Sequence, residues 1–242
     1  MKKGIITTLL LATVSISLTS FDYAPRYTKV AVTGLPLPTN TEIISGLKQA
    51  LEQGTTKSSD QLSALNGYFG NAAIKVLMPP EAQKAEKTLR KLGLNKLCDD
   101  VVLSLNRAAE DAAKKAKPIF IDAVKQMTVQ DAANILTGSQ DAATQYFKRT
   151  TTAALTTQFK PVVHTSLGNV GATNLYTQLA NQYNKIPLTF NKVNPNLDDY
   201  VTQKAIDGLF YEIALEELNI RQNLSARTTP LLQKVFGVLD KK

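Results

Sequence analysis

The chain has one histidine, one cysteine, no tryptophan and three methionines among its 242 residues. With one His and one Cys, a zinc site of the usual kind cannot be assembled and no intramolecular disulfide can form. A Ser-His-Asp triad would have to be built on His164. Gly-rich phosphate loops, an EF-hand loop and the paired Glu-x-x-His motifs of di-iron bundles are also missing. No metal and no cofactor is therefore expected. Strand-like alternation of useful length is absent too, which leaves helical periodicity as the organising signal.

What is present begins with an address. Lys2 and Lys3 precede an apolar run over residues 4–18, too short for the roughly 20 residues of a permanent membrane helix and well matched to a secretory signal. Small residues Ser15, Ser17 and Ser20 offer cleavage near residues 18–21. A lipid anchor would need a cysteine just beyond the run, where Ser20 and Phe21 stand, so none is expected. The expected organisation is a signal peptide over 1–20, a flexible Thr/Pro/Gly-rich arm over 21–41, and a single helical domain over 42–242. The expected location is the periplasm.

Formal charge is +8, and losing Lys2 and Lys3 with the leader lowers it by two, to +6. Basic and acidic residues alternate, as in EKTLRKLGLNKLCDD, rather than forming a basic block. This pattern, with export, argues against nucleic acid as a partner. It is compatible with an unknown envelope protein, an apolar or anionic ligand, and a peripheral contact with the membrane surface.

Helix signals fill the remainder. Ile43, Ile44, Leu47, Ala50, Leu51, Leu62 and Leu65 recur at helical spacing, interrupted by the polar stretch GTTKSSD. Asn66-Gly67 and Gly70-Asn71 predict turns in a loop about Tyr68. Pro79-Pro80 opens a helix that Gly93 ends, and a long Ala-rich helix should run over 95–127, kinked or restarted at Pro118. Thr128 with Asp131 and Gly138 bounds a short helix over 129–137. Ser139 caps the next, which runs to a second Lys-Pro at Pro161. The two Lys-Pro sites, 43 residues apart, suggest a recurring kinked-helix device. A helix over 172–184 and a loop over 186–197 come next. A long helix over 198–224 follows, capped by Asp198 or Asp199 and burying Leu215 and Leu218 with its apolar stripe. Thr229 and Pro230 start the last helix.

Little of this points to chemistry. Cys98 lies on an apolar stripe with Leu94, Val101 and Leu105 and reads as core. His164 lies beside the stripe Phe159, Val163, Leu167 and falls at its edge or in solvent. Carboxylate chemistry would draw on Glu110, Asp122, Glu212 or Glu216, yet i,i+4 pairs such as Arg107 with Asp111 and Glu217 with Arg221 read as helix-surface ion pairs. In Tyr146-Phe147 and Phe210-Tyr211, one ring of each pair should be core and the other flanking. The candidate ligand contacts are Asn106, Arg107, Tyr146 and Arg227, polar groups beside apolar helix faces that could point into a bundle crevice.

The runs AEKTLRKLGLNKL, SLNRAAEDAAKKAKPIFIDAVKQMTVQDAANILTGSQDAATQYFKR and VTQKAIDGLFYEIALEELNIRQNLSARTTPLLQKVFG resemble the bacterial domain-of-unknown-function family numbered 4197, over residues 43–238. The resemblance implies an exported, mainly helical protein and carries no catalytic residues. The fold expected is all-α, a compact multi-helix bundle with proline-kinked long helices. The function expected is a non-enzymatic binding or interaction module of the envelope, its rival a carboxylate-dependent hydrolase acting on cell-wall material.

Overall fold

A computed structural model describes residues 38–185, 197–238 and 240. The expected leader, most of the expected arm and the loop over 186–196 lie outside these residues. Among the described residues the chain is all-α, with nine α-helices, one 3₁₀ turn (Leu224–Ala226) and no strand. At the centre is α3 (Asn95–Ala113), which packs against α1 (Asn40–Ser63), α2 (Pro80–Lys91), α6 (Ala142–Asn169), α7 (Ala172–Asn184) and α8 (Asp198–Gln222). Its small side chains make this position feasible. Ala108, Ala109, Ala112 and Ala113 are all fully buried, so neighbouring helices approach a nearly smooth rod. Cys98 lies on the same buried surface.

The polar stretch expected to interrupt the first helix does not. α1 runs without a break from Asn40 to Ser63, and Gly54, Thr55, Ser58 and Ser59 face inward. Short side chains let α1 lie close to α8: a Cβ on Gly54 would sit 3.4 Å from Glu216 Cγ. The Thr55 hydroxyl is satisfied by donating to the Leu51 carbonyl at 2.7 Å, which removes the cost of burying it. Polarity in sequence here marks close packing rather than a loop.

The predicted turns at Asn66-Gly67 and Gly70 do form, with Asn66 at φ +67°. The segment is nevertheless no surface loop, since Tyr68, Val76 and Met78 are fully buried. Tyr68 reaches α8, where its hydroxyl donates to the Ala205 carbonyl at 2.6 Å. Gly208 makes room for the ring, because a Cβ there would lie 2.6 Å from Tyr68 Cε1.

The helix predicted over 95–127 is two helices. Lys114 and Lys115 separate α3 from α4 (Ala116–Gln126), and Pro118 sits in the first turn of α4, where a missing N–H costs nothing. Pro161, in contrast, lies inside α6, which continues to Asn169. The two Lys-Pro sites therefore do not share one structural device. α5 (Val129–Thr137) has the expected capping box, Thr128 with Asp131. Phe120 on α4, Phe147 on α6 and Phe210 on α8 meet edge to face with centroids 5.2 and 6.2 Å apart, tying three helices at one point of the core.

On α8, Leu215 is exposed and Leu218 half-buried, while Glu212 and Glu217 are buried in their place. Leu197, not an aspartate, is the residue before its first turn. Asp198 and Asp199 lie within that turn, where they pair with His164 and Lys160 of α6. α9 (Pro230–Phe236) is capped by Thr229 and lies along α1.

The start of α1 is held by a capping box, Thr39 with Glu42, and Lys234 of α9 adds an ion pair to Glu42 at 2.6 Å. The Lys234 hydrogen bond above all, then the Thr39 N–H, pull the Glu42 carboxyl from 4.5 to about 2. A carboxyl held below its unfolded value contributes stability that is present above about pH 4.5 and lost as pH falls toward about 2. Glu42→Gln should therefore lower Tm at near-neutral pH and converge on wild type as the buffer is acidified through that window. Thermal melts followed by circular dichroism check this, and a pH-independent difference would contradict it.

Candidate functional site

Two of the expected ligand contacts lie on one face of α3 and bind the segment over 64–79. Asn106 is fully buried. Its Oδ1 accepts from the Val76 N–H at 2.8 Å, and its Nδ2 donates to the Val76 and Val102 carbonyls. It thus supplies to an extended piece of chain both backbone bonds a neighbouring strand would have given. Arg107 pairs with Glu110 at 2.6 Å and donates to Asn66 Oδ1. The expected partner Asp111 instead binds Lys114 and Ser166. Glu110, buried, accepts from the Tyr68 and Phe69 N–H groups. Glu212 holds the same segment from α8 by accepting from Asn71 Nδ2 at 2.7 Å and from Gln61. Desolvation pushes its carboxyl above the usual range.

Arg227 is fully buried just beyond the 3₁₀ turn. Its guanidinium donates to the Ile220 and Arg221 carbonyls at the end of α8 and pairs with Asp240 at 2.6 Å. Cationic donors satisfy orphan carbonyls of the last helical turn in this way.

The most consequential polar group is one the sequence presents as an ordinary i,i+4 pair. Asp141 precedes α6 without capping it, and Ser139, expected as the cap, donates to Asp141. The open N–H groups of Ala143 and Thr144 instead donate to Glu217 of α8, each at 2.9 Å, and the Thr144 hydroxyl adds a third bond. Glu217 also receives two bonds from Arg221, whose remaining reach goes to the Ile135 and Leu136 carbonyls at the end of α5. Both side chains are more than nine-tenths buried. One carboxylate thus meets the positive end of α6 and one guanidinium the negative end of α5.

Next to this pair is a cavity of about 20 Å³ among α1, α5, α6, α8 and α9, lined by Leu47, Leu51, Ile135, Phe147, Ile213 and Phe236. It has room for about one water. A larger space, about 640 Å³, is the open groove between α4 and α6. Ile119, Ala123, Tyr146 and Thr151 form its inner wall, and Lys115, Asp122, Gln126, Asp131, Arg149 and Gln158 its outer edges. Tyr146, the fourth expected contact, presents its ring there while its hydroxyl donates to the Ala123 carbonyl at 3.0 Å. Arg149 lies over that ring at 5.6 Å and forms a loose pair with Asp131 at 3.7 Å. A third space, about 380 Å³, lies between the segment over 73–77 and α8, with Tyr200 and Tyr211 on its wall.

Among the described residues no group of three or more His, Cys, Asp or Glu is placed to hold a metal ion, and no helix is long and apolar enough to cross a membrane. His164 is exposed and bonds Asp198 at 2.8 Å. Of the candidate carboxylates, Asp122 pairs with Lys125 and Glu216 with Lys57, while Glu110 and Glu212 tie down chain. No two of them are bonded to each other across a cleft. The groove residues Gln126 and Gln158 were not picked out from the sequence, because exposed polar residues on a helix resemble any solvated face.

The chain matches, over residues 37–237, the family described as "Protein of unknown function (DUF4197)". It belongs to that family, as the resemblance of its central and C-terminal runs indicated. Comparison with curated proteins gave no match, and neither did comparison with solved structures.

Truncating one member of a buried, hydrogen-bonded ion pair leaves its partner uncompensated, at a cost of about 3–5 kcal/mol. Glu217→Ala should destabilise the protein by that amount, and Arg221→Ala comparably. The double variant should fall well short of the sum because the two act as one unit. Urea unfolding followed by circular dichroism measures all three, and an additive cycle would contradict the shared role.

Proposed function

We propose that this protein is a non-enzymatic binding module of the bacterial envelope, exported by residues 1–20, whose α4–α6 groove takes an extended segment of a partner protein. The observation that carries this reading is the division of labour among polar groups. The buried carboxylates Glu110, Glu212 and Glu217 are all committed to donors within the fold, and the largest of the three spaces described above is lined instead by a Tyr-Arg stack, amide side chains and charges of both signs. An apolar wall with mixed polar edges suits a polypeptide, which offers side chains to the wall and backbone groups to Gln126 and Gln158. A singly charged small ligand would favour edges of one sign, and this groove has Lys115 and Arg149 beside Asp122 and Asp131.

Of the four carboxylates offered for the hydrolase reading, Glu212 is the one whose carboxyl burial shifts upward, the direction a general acid needs. That carboxyl lines none of the three spaces above and is bonded to Asn71 and Gln61. The binding reading is therefore the better supported.

A photo-cross-linking residue placed at Gln126 or Gln158 in living cells should give a discrete adduct with one polypeptide, and the same residue at Lys185 should not. Arg149→Glu should reduce that adduct at least several-fold. Adducts equal at all three positions, or none from the groove, would overturn the proposal. So would release of soluble cell-wall fragments by the purified protein that is lost in Glu212→Gln.

A further inference from the structure

A second surface is distinct from the groove and independent of it. α2 buries Ala82, Ala85 and Leu89 against its neighbours, and on the opposite side presents Lys84, Lys87 and Lys91 at spacings of three and four. These three lysines are exposed and form no ion pair among the described residues, whereas Lys57, Lys96, Lys114, Lys125, Lys160 and Lys234 each have a carboxylate partner. Glu86, which lies between two of them in sequence, is engaged with Asp99 by Arg90, and Asp100 by Lys96, which leaves Glu81 in the first turn as the exposed acid of α2 beside three lysines.

The lysine row ends at a tight turn whose two leucines face water, Leu92 at 64% and Leu94 at 37% exposure. The turn is firmly built. Gly93 takes φ +84°, its N–H donates to the Arg90 carbonyl at 3.0 Å, and the Leu94 N–H donates to the Leu89 carbonyl at 3.0 Å. The leucines are thus held outward by a closed helix end. A row of unpaired cations running into a rigid apolar tip complements one kind of surface in particular, an anionic bilayer, where lysines meet headgroups and leucines enter the acyl boundary.

We propose that the α2 face and the Leu92–Leu94 turn form a peripheral docking surface for an anionic lipid bilayer. Attraction of each lysine and burial of the leucines add together, so the surface binds strongly only where both are engaged.

The test is co-sedimentation of the purified full chain with vesicles of phosphatidylcholine alone and of phosphatidylcholine with phosphatidylglycerol, at low and high salt. The expected result is binding to the anionic vesicles that high salt weakens. Lys84→Glu, Lys87→Glu and Lys91→Glu together should weaken it about 100-fold, and Leu92→Ser with Leu94→Ser several-fold. All five positions are solvent-facing, and a cooperative thermal melt retained by each variant separates loss of docking from loss of fold. Equal binding to both vesicle types would overturn the proposal, as would no binding to either. Binding to anionic vesicles that survives the triple lysine change would place the contact elsewhere in the chain and overturn it too.

Discussion

Glu217 and Arg221, one turn apart on α8, are the constraint on which the packing of α5, α6 and α8 depends. Each helix end carries backbone groups with no partner in its own helix, and burying such an end without a substitute costs free energy for every group left open. The start of α6 and the end of α5 meet inside the protein, next to a small, mainly apolar cavity of about 20 Å³. Two opposite charges delivered from a third helix resolve both ends at once and neutralise each other. This arrangement fixes the rotation of α8 about its axis, because turning it to bury Leu215 would withdraw the pair. Leu215 in water and two glutamates in the interior follow from that one requirement.

The same logic runs through four other buried polar residues. Asn106, Glu110 and Glu212 hold a segment that has no helix or sheet of its own to satisfy it, and Arg227 closes the end of α8. Polar side chains in this interior do the work that regular secondary structure does elsewhere. Among the described residues the candidate carboxylates are spent on holding chain or on lysine partners, and the binding reading looks to the α4–α6 groove.

What was legible in the sequence was whatever is decided locally. The bounds of α5 and α7 can be read from Thr128, Asp131, Gly138 and Gly171, since capping chemistry lies within a few residues of the helix it bounds. The start of α6 could not be read, because its cap is a side chain more than 70 positions away. The unbroken course of α1 was hidden for a related reason: Gly54, Thr55, Ser58 and Ser59 look like a loop until close approach to α8 gives small side chains a purpose. Among the candidate contacts, a rule that selects polar residues beside apolar faces did select groups pointing inward. Asn106 and Arg227 bond backbone within the fold and Arg107 bonds Glu110 and Asn66, while Tyr146 alone of the four presents its ring to the open groove.

If Glu217 is the cap of α6, the Ala143 and Thr144 amides are sealed inside the core rather than fraying as first-turn amides ordinarily do. Native-state hydrogen exchange at these two positions is the most direct measurement. The account predicts protection equal to that of core amides such as Leu105, exchanging only with global unfolding. Exchange at the rapid rate of the exposed first turn of α2 would contradict it.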